Sequence, residues 1–154
     1  MSPTNADRIE KTMVLRAPRE RVWQTITDIG EFGRLFNFEL AGSFAPGALI
    51  KGKLTLEGYE GVTFELTVER MEPGRLFSWR WHPGGVERDV DYSAEPTTLV
   101  VLALEDHPEG TLLSVVESGF DQVPLPRRTT AFRDNDQGWA EVLRLMERRV
   151  GAAV

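Results

Sequence analysis

The first third of the chain passes from a strand pattern to a helix pattern. Apolar side chains in the segment 9–16 recur on one face, which is typical of a strand because side chains two apart point to the same side. Pro18 follows, and its fixed φ suits the start of a helix. Apolar residues at three- and four-residue spacing then predict an amphipathic helix over 19–29, which Gly30 would end. A further short helix is predicted over 31–36.

The middle of the chain changes to strict alternation of apolar and polar positions. This pattern predicts an antiparallel sheet with one face in water. The segment 86–92, rich in charged residues, is either an edge strand or a loop. The predicted strands are 49–57, 62–69, 75–82, 97–105 and 111–118, which with the opening strand make a sheet of about six strands.

A long amphipathic helix is predicted near the end of the chain, after Pro124 and Pro126, with Thr129 or Thr130 as its cap. The order of strand, short helices, strand meander and long helix contains no βαβ alternation, so the fold class is α+β. The aromatic face of the sheet needs a cover, and we expect the long helix to lie across it. Its apolar stripe is Phe132, Trp139, Val142, Leu143, Met146 and Val150.

Composition and charge exclude several classes of function. The chain has 154 residues and a mass of 17.3 kDa, so we expect one domain over 9–151 after a flexible N-terminus at 1–8. The net charge of −6 disfavours nucleic acid and anionic membranes as partners. Without cysteine there are no disulfides or thiolate metal sites. No apolar run approaches a membrane span of about 20 residues, and the polar start is unlike a signal peptide, so we expect a cytoplasmic protein.

Several short motifs occur in one order along nearly the whole chain. They are Ala-Pro-Arg-Glu-Arg-Val-Trp at 17–23, Glu-Pro-Gly-Arg-Leu-Phe-Ser-Trp at 72–79, Gly-Thr-Leu-Leu at 110–113, Glu-Ser-Gly-Phe at 117–120 and Gly-Trp at 138–139. Together they resemble the family of activator of heat-shock-protein-90 ATPase homologue-like domains, within the START-like (SRPBCC) superfamily. That resemblance implies the helix-grip fold: a curved antiparallel sheet wrapped around a long C-terminal helix, with two short helices after the first strand.

The resemblance implies a ligand cavity more than it implies a reaction. Members of the superfamily hold lipids, sterols, polyketides or plant hormones between sheet and helix. Some are cyclases or aromatases, and the eukaryotic members that name the family stimulate a chaperone ATPase. Fold alone does not choose among these activities. Many relatives carry histidine two residues before the Gly-Phe pair, where this chain has Glu117.

Glu117 is the most interesting titratable residue of the sequence. Alternation places it on the same face as Leu113 and Val115. If that face looks inward, its carboxyl group is a general acid or base, or a ligand anchor; the alternative is an exposed strand end or a pair with an arginine. His82 and His107 precede prolines and are expected in exposed turns, without a shared metal. No catalytic motif is present, and we expect neither cofactor nor metal.

The aromatic residues indicate where a ligand would bind. Trp79 and Trp81 share one sheet face, and Trp139 lies on the helix predicted to cover it. These rings are expected to wall a pocket, with an ordinary filled core as the alternative. Gly138 is costly inside a helix and suggests close approach of its backbone to the sheet or to a ligand. The predicted ligand-binding residues are Phe36, Phe64, Trp79, Trp81, Glu117, Phe120, Asn135, Asp136, Trp139 and Leu143.

Three functions follow from these patterns. The first is a module that binds a hydrophobic or aromatic small molecule. The second is an enzyme of cyclase or hydrolase type that uses Glu117, Asp136 or His82 as acid or base, which the lack of a catalytic motif makes the weaker hypothesis. The third is an interaction module for a chaperone ATPase or a stress response. The sequence leaves open whether the protein is a monomer or a homodimer.

Overall fold

A computed structural model describes residues 7–85 and 90–150 of the chain. It contains a seven-stranded sheet in the order β1-β7-β6-β5-β4-β3-β2, with antiparallel neighbours throughout. The elements are β1 (Arg8–Leu15), α1 (Arg19–Thr27), α2 (Ile29–Phe36), β2 (Phe38–Leu40), β3 (Leu49–Leu54), β4 (Thr63–Glu72), β5 (Leu76–Trp81), β6 (Thr98–His107), β7 (Gly110–Ser118) and α3 (Leu125–Val150).

The curved sheet holds α3 across its inner face, which confirms the predicted α+β helix-grip fold and the two short helices after the first strand. Alternation decides which side chains point inward. Along β7, Leu113, Val115 and Glu117 are all buried, whereas the residues between them are partly exposed. Glu117 is paired with Val100 on β6 and with Ile9 on β1. Its carboxyl group therefore enters the molecule from the centre of a three-strand segment.

One end of the space between sheet and helices is filled by aromatic rings. Trp79 and Phe77 of β5 and Phe32 of α2 are all 0% exposed. The ring of Trp79 lies 5.1 Å from that of Phe32, edge to face, and 5.1 Å from that of Phe77. Such pairs add to the free energy gained by burial itself. This end is the densely packed core that the sequence left as an alternative.

Two helix boundaries differ from the prediction. The first helix ends at Thr27, and Gly30 lies inside α2. The reason is Asp28, whose carboxylate accepts a hydrogen bond from the Glu31 amide at 2.9 Å and so starts a second helix. The long helix begins at Leu125, so the predicted cap at Thr129 or Thr130 is wrong. Pro126 is tolerated there because the first amides of a helix have no intrahelical acceptor.

The sheet has one strand more than the predicted six. β2 has three residues and pairs with β3, Phe38 opposite Leu54 and Leu40 opposite Gly52. A strand of this length is too short for alternation to be visible in the sequence. Most of the segment 86–92 lies outside the described residues, as does most of the predicted flexible N-terminus, of which Arg8 is the first residue of β1.

Candidate functional site

A cavity of about 480 Å³ opens between one end of the sheet and α3. Its aromatic walls come from α2, β2, β4, β5 and α3, which supply Phe36, Phe38, Phe64, Trp81 and Trp139 respectively. Phe38 stacks on Phe64 with 4.9 Å between ring centroids, and Phe36 meets Trp139 edge to face at 5.3 Å. The volume lies in the usual range for small-molecule sites, and aromatic walls with few polar groups are typical of them.

Glu117 lies behind this wall and is 0% exposed. Its Oε2 accepts hydrogen bonds from Trp81 Nε1 at 2.8 Å and Thr98 Oγ1 at 2.5 Å. Its Oε1 accepts from Trp139 Nε1 at 2.8 Å. The side-chain amide of Asn135 donates to both oxygens, at 3.1 and 3.0 Å. All four partners are neutral groups, and together they occupy the acceptor positions of a carboxylate.

The arrangement around Glu117 fixes the two tryptophans of the cavity wall. Because each indole has a single N–H, the hydrogen bond to the carboxylate sets the orientation of the whole ring. The inward position expected for Glu117 is therefore observed, and the alternatives of an exposed strand end and of an arginine pair are wrong. Its oxygens are occupied by protein donors, so the geometry gives it a positioning role.

The structure brings together five of the ten predicted site residues on the cavity surface: Phe36, Phe64, Trp81, Asn135 and Trp139. Their contact with a ligand stays a prediction. Asn135 has two roles in the geometry, since it lines the cavity and also donates to Glu117. The wall and the buried carboxylate behind it therefore form one unit.

The other five predicted residues are not among those that line the cavity, and a role for them in ligand binding stays a prediction. Trp79 belongs to the filled core, and its Nε1–H meets no acceptor among the described residues. Phe120 packs edge to face on Phe132 at 5.1 Å, and Leu143 is buried in the core. Asp136 forms an ion pair with Lys11 of β1 at 3.1 Å, because its position on α3 faces the edge strand.

Gly138 lies in the interior of α3 and lines the cavity. A Cβ atom built on it would meet nothing within 4 Å, so the predicted close approach to the sheet is wrong. Glycine inside a helix costs about 1 kcal/mol relative to alanine. The absence of a side chain here enlarges the cavity.

His82 also lines the cavity and is half-buried, which corrects the expectation of an exposed turn. Its Nε2 lies 3.0 Å from the carbonyl oxygen of Glu95. Since a carbonyl only accepts, this contact requires the proton on Nε2. His107 lies elsewhere, and its Nδ1 accepts from the Glu109 amide at 3.1 Å.

Arg127 of α3 fastens the connection between β5 and β6 beside the cavity. Its guanidinium donates to the Glu95 carboxylate at 2.9 and 2.6 Å and to the Pro83 carbonyl at 2.7 Å. It also lies over the ring of Tyr92, 4.9 Å from the centroid. We call these contacts of Arg127 with Glu95, Pro83 and Tyr92 the clasp. Because Pro83 and Gly84 line the cavity, the clasp fixes one side of the cavity opening.

The sequence did not predict several cavity residues. Asp134 and Glu141 lie one turn before and one turn after Gly138, and helical spacing from Gly138 could have found them. Phe38 lies on the unpredicted β2, and no signal in the sequence pointed to it. The remaining residues of this kind are Leu35, Asn37, Leu54, Leu56, Tyr59, Pro83, Gly84 and Val142.

Two further observations bear on the class of protein. Within residues 7–85 and 90–150, no helix is long and apolar enough to cross a membrane. The same residues contain no group of three or more His, Cys, Asp or Glu placed to hold a metal ion.

Solved structures with the same fold were found at low sequence identity. A crystal structure of a protein from Mesorhizobium loti has a TM-score of 0.72 at 18% identity, covering 92% of this chain and 94% of that one. The solution structure of the Aha1 dimer from Colwellia psychrerythraea has a TM-score of 0.70 at 15% identity, covering 94% and 96%. A solution structure of a protein from Arthrobacter aurescens reaches 0.74 at 12% identity, covering 96% and 87%.

The sequence comparison gives the family. No curated protein matches the chain at a significant level. The family model described as Activator of Hsp90 ATPase homolog 1-like protein matches residues 16–151. That match covers most of the chain and all but the first strand of the fold. The chain therefore belongs to the Activator of Hsp90 ATPase homolog 1-like protein family.

Proposed function

We propose that this protein binds a hydrophobic, aromatic small molecule in the cavity between the sheet and α3. The observation that carries the proposal is Gly138, a glycine in the middle of a 26-residue helix. Nothing in the fold requires it, because a Cβ there would lie in open space. A stability cost without a packing reason is expected where a ligand needs the room.

The aromatic wall supports the proposal by being fixed before a ligand arrives. Trp81 and Trp139 are held by Glu117 at 2.8 Å each. Ordering of side chains is one of the costs of binding, and a wall that is already ordered reduces that cost. The cavity therefore has the rigidity that a small-molecule site needs.

The acid–base alternative has weaker support. Glu117 has its oxygens occupied by Trp81, Thr98, Asn135 and Trp139. A general base needs a free lone pair within hydrogen-bond reach of the substrate. Asp136 is paired with Lys11 on another face. Of the three acid–base candidates, Glu117, Asp136 and His82, His82 is the one that lines the cavity.

The test is binding of a neutral aromatic probe, N-phenyl-1-naphthylamine, measured by probe fluorescence and by the shift in melting temperature. We expect saturable binding and a higher melting temperature with the probe. Gly138→Leu fills the cavity and should weaken binding by about tenfold or more, since a branched side chain would occupy the space of the ligand.

The matched control is Gln137→Leu, one position along the same helix and exposed outside the cavity. It should bind the probe as the parent does. Circular dichroism checks that both variants keep the helix content of the parent. Equal probe binding by Gly138→Leu, or no binding by the parent protein, would overturn the proposal.

Three finer proposals rest on family membership: a cytoplasmic location, contact with a chaperone ATPase in a stress response, and a homodimer such as that named for the Colwellia protein. Sedimentation equilibrium tests the dimer. A coupled ATPase assay with the purified chaperone tests the contact, and unchanged ATP turnover would count against it.

A further inference from the structure

The carboxylates that line the cavity lie on one helix. They are Asp134 and Glu141, on the face of α3 that carries Gly138. Of the cavity-lining residues in the described part of the chain, none is lysine or arginine. Three arginines of α3 lie close to the cavity without lining it. Arg133 pairs with Asp134 and Arg144 with Glu141, and Arg127 pairs with Glu95 and donates to the carbonyl of Pro83. The charged side chains on the cavity surface itself are therefore carboxylates.

The Glu141 carboxylate is ionised at neutral pH. Its hydrogen bond with Arg144 lowers its pKa below the ordinary value of a glutamate. The side chains of Asp134 and Glu141 remain about half exposed, at 56% and 51%. Each is thus screened by water, and its effect on a ligand charge is modest.

The aromatic wall of the cavity also favours a positively charged ligand. The indole N–H groups of Trp81 and Trp139 both donate to the carboxylate of Glu117. A donor group bonded to an anion is polarised, and electron density shifts toward the rest of the ring. Indole faces attract cations through their quadrupole, and a more electron-rich face attracts them more strongly.

We propose that the ligand is an aromatic amine that carries a positive charge, with its rings against Trp81 and Trp139 and its ammonium group near Asp134 and Glu141. This inference rests on the proposed function, because it names the chemical class of the molecule bound in the same cavity. It disfavours fatty acids and aromatic carboxylates, whose anionic group would enter a mouth lined by carboxylates.

The test compares three probes with one ring system: 2-(1-naphthyl)ethylamine, 2-(1-naphthyl)ethanol and 1-naphthaleneacetic acid. Dissociation constants are measured by tryptophan fluorescence and calorimetry at pH 7 and low salt. We expect the amine to bind about tenfold more tightly than the acid, with the alcohol between them. Added salt should reduce the ratio, since the carboxylates are partly exposed.

The double variant Asp134→Asn/Glu141→Gln should bring the ratio of amine to acid affinity to about threefold or less while leaving the alcohol unchanged. Glu147→Gln, an exposed position of α3 outside the cavity, is the matched control and should keep the full ratio.

Binding of all three probes with equal affinity, or tighter binding of the acid, would overturn this inference and leave the proposed function standing. An undiminished ratio in the double variant would overturn the role of these carboxylates. Failure of all three probes to bind would contradict the proposed function itself.

Discussion

Glu117 Oε1 accepts a hydrogen bond from Trp139 Nε1 at 2.8 Å, and this bond joins the last strand of the sheet to the long helix. The second oxygen of the same carboxylate holds Trp81 of β5. One buried group thus sets both the contact between the two layers and the position of two cavity walls. The shape of the cavity is tied to a polar network in the core.

Replacing Glu117 by glutamine tests this network. Glu117→Gln keeps the size of the side chain but turns one acceptor oxygen into an N–H₂ donor, which then faces an indole N–H or the Thr98 hydroxyl. A buried donor without an acceptor costs about 1–3 kcal/mol, and charge-assisted hydrogen bonds are also lost. We expect the free energy of unfolding, measured in urea, to fall by about 2–4 kcal/mol.

The control for this substitution is Glu105→Gln, the same change at an exposed position of β6. It should change the free energy of unfolding by less than about 0.5 kcal/mol. Near-ultraviolet circular dichroism reports on the orientation of the tryptophans and should change only for Glu117→Gln. If Glu117→Gln lowers the free energy of unfolding by less than about 1 kcal/mol and leaves the spectrum unchanged, the hydrogen bonds of Glu117 do not fix the orientation of Trp81 and Trp139.

Two helical glycines are predicted to respond to alanine with opposite signs. At Gly138 a Cβ meets nothing within 4 Å, so Gly138→Ala should raise the free energy of unfolding by about 0.5–1 kcal/mol. At Gly33 of α2 a Cβ would lie 2.4 Å from the carbonyl oxygen of Phe38. Gly33→Ala should therefore lower it by about 1–3 kcal/mol and displace a cavity wall. Urea unfolding measures both, and changes of the same sign would contradict the geometry.

The sequence predicted the arrangement of strands and helices because its alternation of apolar and polar residues and its helical spacing of apolar residues are long and regular. Alternation over β6 and β7 and the apolar stripe of α3 each extend over many residues, so the inward faces could be read from them. The same alternation placed Glu117 on the inner face and Trp81 opposite Trp139. These predictions needed only the direction of side chains.

The cavity was less accessible to sequence reasoning because it depends on contacts between distant segments. The donors to Glu117 come from β5, β6 and α3, at separations of 18 to 36 residues. Nothing in the local pattern shows that Asn135 reaches the carboxylate whereas Asp136, one residue later, pairs with Lys11. The same limit applies to Trp79, which shares a face with Trp81 but fills the core.

Glu31 gives the fold a dependence on acid pH. Its hydrogen bond with Arg149 of α3, followed by that with Arg34, lowers the pKa of this carboxyl below its ordinary value of 4.5. A lowered pKa in the folded state means that the stabilisation is present above the ordinary value and is lost as the pH falls through the lowered one. Glu31→Gln should therefore lower the free energy of unfolding at pH 7 by about 0.5–1 kcal/mol after allowance for solvent screening.

Urea unfolding of parent and Glu31→Gln at several pH values between 7 and 2 measures this dependence. The difference in free energy of unfolding between the two proteins should be largest near neutral pH and should shrink as the pH falls toward 2. Gln24→Ala, an exposed position of α1 without a titratable group, is the control and should differ from the parent by the same amount at every pH. A difference that stays constant over the whole range would mean that the effect of Glu31 is steric.

Arg127→Lys tests the clasp beside the cavity. Lysine keeps the charge of Arg127 but cannot donate at once to the Glu95 carboxylate and the Pro83 carbonyl in the geometry of a guanidinium. We expect amide hydrogen exchange at Gly85 and Glu95 to become about tenfold faster, since their amides bond within the clasped connection, to His82 and Tyr92. The melting temperature should change little, because the clasp lies outside the core.

The same substitution should also weaken the binding of N-phenyl-1-naphthylamine, because Pro83 and Gly84 form one side of the cavity. Arg133→Lys is the matched control on the same helix, where the arginine is exposed and, among the described residues, forms a 3.9 Å ion pair with Asp134. It should leave both exchange and probe affinity unchanged. Faster exchange with unaltered probe affinity would separate the clasp from the binding site. Unaltered exchange would contradict this role of Arg127. It would show that the backbone hydrogen bonds of the connection between β5 and β6 are sufficient to hold Glu95 and Pro83 in place.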